Sequence, residues 1–142
     1  MTPERAAAGG AKAVTLEELL KTSKVVTLHL VPSEETRKLI NAERLAMMRL
    51  DSILANTARS ALIDMKALDE ALAKGRPGFA ALDVYDDEPL APGFAMAKRD
   101  NVVLSPHLGF VNDSSFEKFA SGSVENLVNW LEGRPLVRVQ IG

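Results

Sequence analysis

With 142 residues, 46% of them hydrophobic, the chain has the length and apolar content for one compact domain with its own core. A formal net charge of −2 carries no basic surplus, which argues against nucleic acid and anionic membrane as partners. The absence of cysteine excludes disulfides and thiolate metal sites, and no metal site is expected. No apolar run reaches the roughly 18 residues of a membrane span, and Met1 to Gly10 lacks the charged-then-apolar order of a secretory signal, so a cytoplasmic protein is expected.

In chain order, Thr2-Pro3-Glu4 reads as a helix start, with a hydroxyl cap, a proline at the first helical position and an acid in the first turn; Gly9-Gly10 ends it. Thr15 to Glu18 reads as a capping box opening a short helix through Leu20, with Leu16, Leu19 and Leu20 on one face. Val25 to Leu30 is a predicted buried strand, which would make His29 a buried structural histidine. Asn41 caps a predicted helix through Met48, and Ser52 to Thr57 is the next strand. Asp64 caps a helix over Met65 to Lys74 that turns Leu68, Ala71 and Leu72 inward, and Gly75 supplies a left-handed cap. Phe79 to Val84 is a strand and Pro89 to Arg99 an irregular loop. Val102 to Leu104, wholly apolar, reads as a strand buried on both faces that delivers His107 on a stiff, extended exit shaped by Pro106. Ser114 to Glu132 is the longest helix, capped by Ser114 with Glu117 and closed by Gly133.

Strands alternating with helices over short connections imply right-handed parallel crossovers, hence an α/β fold with a doubly wound parallel sheet. No linker divides the chain, so one domain is the economical count. In such a sheet, residues just past the strands' carboxyl ends share one crevice. Here those residues are Arg59, then Asp83 to Glu88, then His107. Arg59 offers a planar, permanently charged fork for a carboxylate. His107 can exchange a proton near neutral pH, and Glu88 beside it would favour the charged ring and fix which nitrogen faces a substrate. Asp83, if buried, needs a hydrogen-bonding partner that an amide-bearing ligand could provide. On spacing alone the structural alternatives stand: a surface arginine, a solvated acidic run at Asp86-Asp87-Glu88, and turn glycines at Gly9, Gly10, Gly75, Gly78 and Gly133.

Taken in order, five stretches resemble the D-isomer-specific 2-hydroxyacid dehydrogenases. They are Leu16-Glu-Glu-Leu-Leu20, Val25-Val-Thr-Leu-His-Leu30, Asn56-Thr-Ala-Arg59, Ala80-Ala-Leu-Asp-Val-Tyr-Asp-Asp-Glu-Pro89 and Asn101-Val-Val-Leu-Ser-Pro-His-Leu-Gly109. The resemblance implies a Rossmann-type NAD-binding domain, NAD as cofactor with NADP left open, and hydride transfer between the nicotinamide and a small 2-hydroxy or 2-oxo acid. It implies Arg59 as the substrate-carboxylate arginine, His107 as the acid–base histidine and Glu88 as its partner. It further implies Thr57, Ala58, Asp83 and Gly109 along the nicotinamide half of the cofactor, and His29, Leu30 and Val31 along the adenosine ribose. A two-fold homodimer through the nucleotide domain is also implied.

The departures are equally specific. No Gly-x-Gly-x-x-Gly occurs, nor the acidic residue about 20 positions beyond it that would choose between the cofactors. Ser60 stands where glycine is usual and Val31 where proline is common. The chain therefore resembles an incomplete Rossmann domain lacking the first βαβ unit, residues 1–142 forming part of the NAD(P)-binding domain and residues 113–142 the helix and tail leading back toward a substrate domain. Little or no turnover is expected of it alone. The rival reading is a non-enzymatic dimerisation or nucleotide-sensing module derived from the same fold.

Overall fold

A computed structural model describes residues 2–137. Although no linker announces it, the chain divides after His107 into two compact units, the second beginning at Leu108.

In the first unit, side-chain caps start every helix where the sequence places them. Thr2 opens α1 (Pro3–Ala8) by accepting from the N–H of Arg5, and Thr15 opens α2 (Leu16–Thr22) by accepting from that of Glu18. Asn41 opens α3 (Ala42–Met47) through the N–H of Arg44, and Asp64 opens α4 (Met65–Ala73) through that of Ala67. Each cap satisfies a donor that a short helix leaves without a partner, worth about 1 kcal/mol. These helices are too short to persist in isolation, and α2, α3 and α4 depend on the sheet they pack against.

That sheet has four strands, β1 (Val25–Leu28), β2 (Ile53–Asn56), β3 (Phe79–Leu82) and β4 (Val102–Leu104), in the order β1-β2-β3-β4 with every pair parallel. The register sets Leu28 beside Asn56, Asn56 beside Leu82, and Leu82 beside Leu104, so the strands finish level. Alternate strand residues Val26, Leu28, Leu54, Ala80 and Leu82 bury one sheet face against Leu20, Leu45, Leu68 and Leu72 of α2, α3 and α4. Fully burying one such leucine contributes roughly 1.5–3 kcal/mol. Leu19, expected on the same face of α2, is exposed.

Two expectations about burial fail for one reason. Helices α2 to α4 pack against a single sheet face, so the outward residues of the strands are open: Val25 is 56% exposed, Phe79 53% and Val103 68%. β4 is also the last strand in the order, and it is an edge strand with one covered face rather than a strand buried on both. β1 stops at Leu28, two residues earlier than predicted, which leaves His29 outside the strand and exposed, its Nε2 3.0 Å from Thr27 Oγ1. The loop from Pro89 to Arg99 contains a short 3-10 turn, Ala95–Lys98, that inserts Met96 into the core.

The second unit carries α5 (Asp113–Leu131), capped by Asn112, whose side chain accepts from the N–H of Ser115. Ser114, the expected cap, lies inside the helix because Asn112 is already extended and closes the first turn. Gly133 ends it with a φ of 66°. Phe116, Phe119, Val124, Leu127 and Leu131 are exposed. The final residues of the tail assigned to 113–142, positions 138–142, lie outside the described residues. Among the described residues, no helix is long and apolar enough to cross a membrane.

Gly78, read as a turn glycine, serves a close approach instead. A Cβ there would sit 2.2 Å from the Leu50 carbonyl oxygen, and the Gly78 carbonyl itself accepts from Asn101 Nδ2 at 3.0 Å. Gly78→Ala should therefore lower stability by roughly 2–4 kcal/mol, seen as a lower urea midpoint at unchanged slope. An unchanged midpoint would mean that the segment around Leu50 moves aside at no cost.

Candidate active site

Because β2, β3 and β4 are neighbours that finish level, whatever follows them is gathered at one end of the sheet. After β2 the chain turns sharply through Thr57, Ala58 and Arg59. The turn is held by Asn56, the last strand residue, whose fully buried side chain accepts from the N–H of Ala58 at 3.0 Å and donates to the carbonyl of Arg59 at 2.9 Å. Both halves of the amide are thereby used on the loop that presents Arg59. The Arg59 side chain is exposed, with Nη1 donating to the Ala58 carbonyl at 2.6 Å. Ser60 opens a 3-10 turn, Ser60–Leu62, and has no left-handed backbone, so serine in place of glycine imposes no strain there.

After β3, Asp83 is only 5% exposed, and its N–H donates to the Asn56 carbonyl. Of the acidic run that follows, Asp86 and Asp87 point to solvent, whereas Glu88 turns back on the strand end. Its Oε1 accepts from the N–H of Tyr85 at 3.0 Å and its Oε2 lies 2.7 Å from Nδ1 of His107. The ionised carboxylate can only accept, so Nδ1 is the protonated nitrogen of that contact.

His107 reaches Glu88 by a route the sequence does not reveal. The expected extended exit is instead a tight turn around Pro106, closed by the His107 N–H donating to the Ser105 carbonyl at 3.0 Å, and His107 itself has a φ of 57°. A non-glycine residue in the left-handed region costs on the order of 1 kcal/mol or more and persists only where its surroundings fix it.

Tyr85, Glu88, Pro89, Leu90, Leu104 and His107 help line a cleft of about 200 Å³, large enough for a small organic acid. The structure thus brings Glu88 and His107 into contact. Arg59 stands at the adjoining strand end, close enough for its charge to favour the ionised form of Glu88. Of the expected cofactor residues, Thr57 and Ala58 follow β2 and Asp83 follows β3, while His29, Leu30 and Val31 are exposed past the end of β1. Gly109 is exposed in the second unit. Sequence reasoning missed Asn56 and Tyr85 as organisers of the site. A polar residue ending an apolar strand was the available signal for Asn56; for Tyr85 there was none beyond its place beside Asp83.

Residues 1–109 match the family of D-isomer specific 2-hydroxyacid dehydrogenases over its NAD-binding domain. The chain belongs to this family. A glyoxylate reductase from Aeropyrum pernix is 39% identical over 125 residues, 88% of this chain and 37% of that protein. The crystal structure of the TT0316 protein from Thermus thermophilus superposes with a TM-score of 0.85 at 44% identity, covering 92% of this chain and 42% of that one. A D-lactate dehydrogenase from Aquifex aeolicus, complexed with NAD and lactic acid, superposes with a TM-score of 0.81 at 30% identity, covering 94% and 44%. The chain thus spans less than half the length of each of these three proteins. The parallel four-stranded sheet with its packed helices is part of the Rossmann-type α/β fold of the NAD-binding domain.

In this NAD-binding domain the His107 contact holds the Glu88 carboxyl below the usual carboxylate range, with the Tyr85 N–H acting in the same direction. A carboxylate whose pKa falls on folding contributes stability that is complete above its unfolded value, about 4.3, and is lost as pH falls through the lower folded value. Denaturation midpoints measured from pH 6 downward should therefore fall less steeply in Glu88→Gln than in the native chain. Parallel acid limbs would show that Glu88 gains nothing from its partners.

Proposed function

We propose that the chain provides the nicotinamide half-site and the acid–base set of a D-2-hydroxyacid dehydrogenase acting on a small 2-oxo or 2-hydroxy acid, the class to which glyoxylate belongs. The observation that carries this reading is the 2.7 Å contact between His107 Nδ1 and Glu88 Oε2 across the ends of β4 and β3, with Arg59 past the end of β2 on the other side of β3. A binding or dimerisation module derived from the fold has no need of a histidine held in a left-handed backbone against a carboxylate, and the pair therefore favours the enzyme.

The donor set suits the proposed cofactor at its nicotinamide end. Asp83 is a buried acceptor matched to a carboxamide, and Thr57 and Ala58 lie beside it on the neighbouring strand end. His29 to Val31 are assigned to the adenosine ribose and Gly109 to the nicotinamide face. No Gly-x-Gly-x-x-Gly is present among the 142 residues to seat a pyrophosphate. When bound, the nicotinamide would supply the hydride. In reduction, Arg59 holds the substrate carboxylate with two parallel hydrogen bonds and so orients the carbonyl. With Nδ1 engaged by Glu88, Nε2 of His107 is the nitrogen that passes a proton to the substrate oxygen, and Glu88 stabilises the imidazolium before transfer. In oxidation the same nitrogen takes the proton from the hydroxyl.

The reading also includes NAD as the cofactor with NADP left open, a homodimer, a cytoplasmic setting, and residues 113–142 as the element leading back toward a substrate domain. Exposed Phe116, Phe119 and Leu127 on α5 are consistent with burial in a larger assembly.

Calorimetric titration of the full 142-residue chain with NADH should give saturable heat with a Kd of about 0.1–1 mM, the affinity expected where only half the dinucleotide site is supplied. Asp83→Ala should weaken it several-fold. Turnover of glyoxylate by this chain alone should stay below a few per cent of a typical kcat of about 10 s⁻¹, and His107→Ala should abolish what remains. No heat at millimolar NADH would remove the cofactor assignment.

A further inference from the structure

We propose that Tyr85 is the positioning residue of the Glu88–His107 pair, holding the carboxylate through its backbone N–H and the backbone that carries the histidine through its phenol. This rests on the pair being the acid–base group of the proposed function.

Tyr85 is buried and is the single tyrosine of the sequence. Its hydroxyl lies 2.9 Å from the Leu82 carbonyl and 2.9 Å from the Ser105 carbonyl, so one phenolic proton is shared between the last residue of β3 and the first residue after β4. Both carbonyls have second partners that belong to the site. The Leu82 carbonyl also accepts from the N–H of Ser105 at 2.9 Å, and the Ser105 carbonyl also accepts from the N–H of His107 at 3.0 Å. The phenol therefore closes a small ring of hydrogen bonds whose outermost member is the backbone of His107. On its other side, the Tyr85 N–H grips Glu88 Oε1. A single residue thus fixes both partners of the contact between Glu88 Oε2 and His107 Nδ1.

The left-handed backbone of His107 gives this arrangement its purpose. That conformation carries a cost and relaxes unless the preceding segment is pinned. Ser105 and Pro106 sit at the end of an edge strand three residues long, which pairs with β3 on one side. Beyond Leu104 the Ser105 N–H still bonds the Leu82 carbonyl, and the phenol adds a second tie through the Ser105 carbonyl. Burial pushes the phenol pKa up, with the negative charges of Asp83 and Glu88 acting in the same direction, so the hydroxyl keeps its proton and remains a donor. An ordinary buried tyrosine would need one acceptor of any kind, whereas both acceptors here belong to the strand exits that carry the acid–base pair. The ring also packs edge-on against Phe94, with centroids 5.8 Å apart and planes at 78°. Removal of the hydroxyl alone should leave that packing in place.

The test is a carbon-13 NMR titration of the Glu88 carboxyl in the full chain, in four forms: native, Tyr85→Phe, His107→Ala and the double variant. In the native chain Glu88 should titrate below the ordinary value of about 4.3. His107→Ala should move it up, Tyr85→Phe should move it up by at least half as much, and the double variant should move no further than His107→Ala. Thermal unfolding of Tyr85→Phe should stay close to native, which separates loss of positioning from loss of fold. If His107→Ala moves Glu88 and a folded Tyr85→Phe does not, the proposed function stands and the positioning role is overturned. If His107→Ala leaves Glu88 where it was, the pair itself is absent and both readings fall. Should Tyr85→Phe not fold, 3-fluorotyrosine incorporated at this sole tyrosine decides the matter in the otherwise native chain. A fluorine resonance that follows the Glu88 titration, and ceases to do so in His107→Ala, supports the proposal; one that ignores it overturns it.

Discussion

The parallel register of β2, β3 and β4 is the constraint on which the site depends. Asn56, Leu82 and Leu104 stand side by side, and neighbouring strands in a sheet lie about 4.8 Å apart. Two strand spacings are therefore all that separates the loop bearing Arg59 from the turn bearing His107, with the Tyr85 to Glu88 loop between them. A one-residue slip of β4 against β3 would exchange its inward and outward residues and move Ser105 away from the Leu82 carbonyl. The same packing that buries Leu54, Ala80 and Leu82 beneath α2 to α4 thus holds the chemistry in place at one end.

Much of this was legible in the sequence because it rests on local rules. The helix caps at Thr2, Thr15, Asn41 and Asp64 are single side chains acting on a donor three residues ahead, and sequence spacing determines them directly. The strands were legible as apolar runs, although only β4 ends where predicted and β1, β2 and β3 stop one or two residues early, and the order of Arg59, Glu88 and His107 across adjacent ends follows from short crossovers alone. The two residues that organise the site were not legible. Asn56 acts on the backbone of Ala58 and Arg59, and Tyr85 on that of Leu82 and Ser105; no side-chain pattern marks a group whose partners are carbonyls and amides.

The strands depart from the sequence pattern for one physical reason. An apolar run states that a strand is compatible with burial, not how many faces are covered. β1 and β4 read as buried strands, yet Val25 and Val103 are open because α2 to α4 occupy one face only. The same holds at His29, where the apolar run continues through Leu30 but pairing with β2 ends at Leu28. The α5 cap fails differently. Ser114 and Glu117 satisfy the spacing of a capping box, but Asn112 offers an equally good acceptor two residues earlier, and the earlier acceptor starts the helix.

The left-handed backbone of His107 links these observations. Proline restricts the residue before it and its own φ, so Pro106 reads as the start of an extended exit; it says nothing about the residue that follows. That residue is bent back by the Ser105 carbonyl and by Glu88, and an extended His107 would carry its ring away from the carboxylate that orients it. Strain at the histidine is therefore offset by hydrogen bonds distributed over Tyr85, Ser105 and Glu88, none of which needs to touch a substrate to matter. The groups that would meet a substrate lie exposed or half-exposed at the strand ends, and the groups that hold them, Asn56 and Tyr85, are buried beneath. Such a division lets the outer residues face a wet, open cleft while their positions are set from the side where water does not compete for the hydrogen bonds.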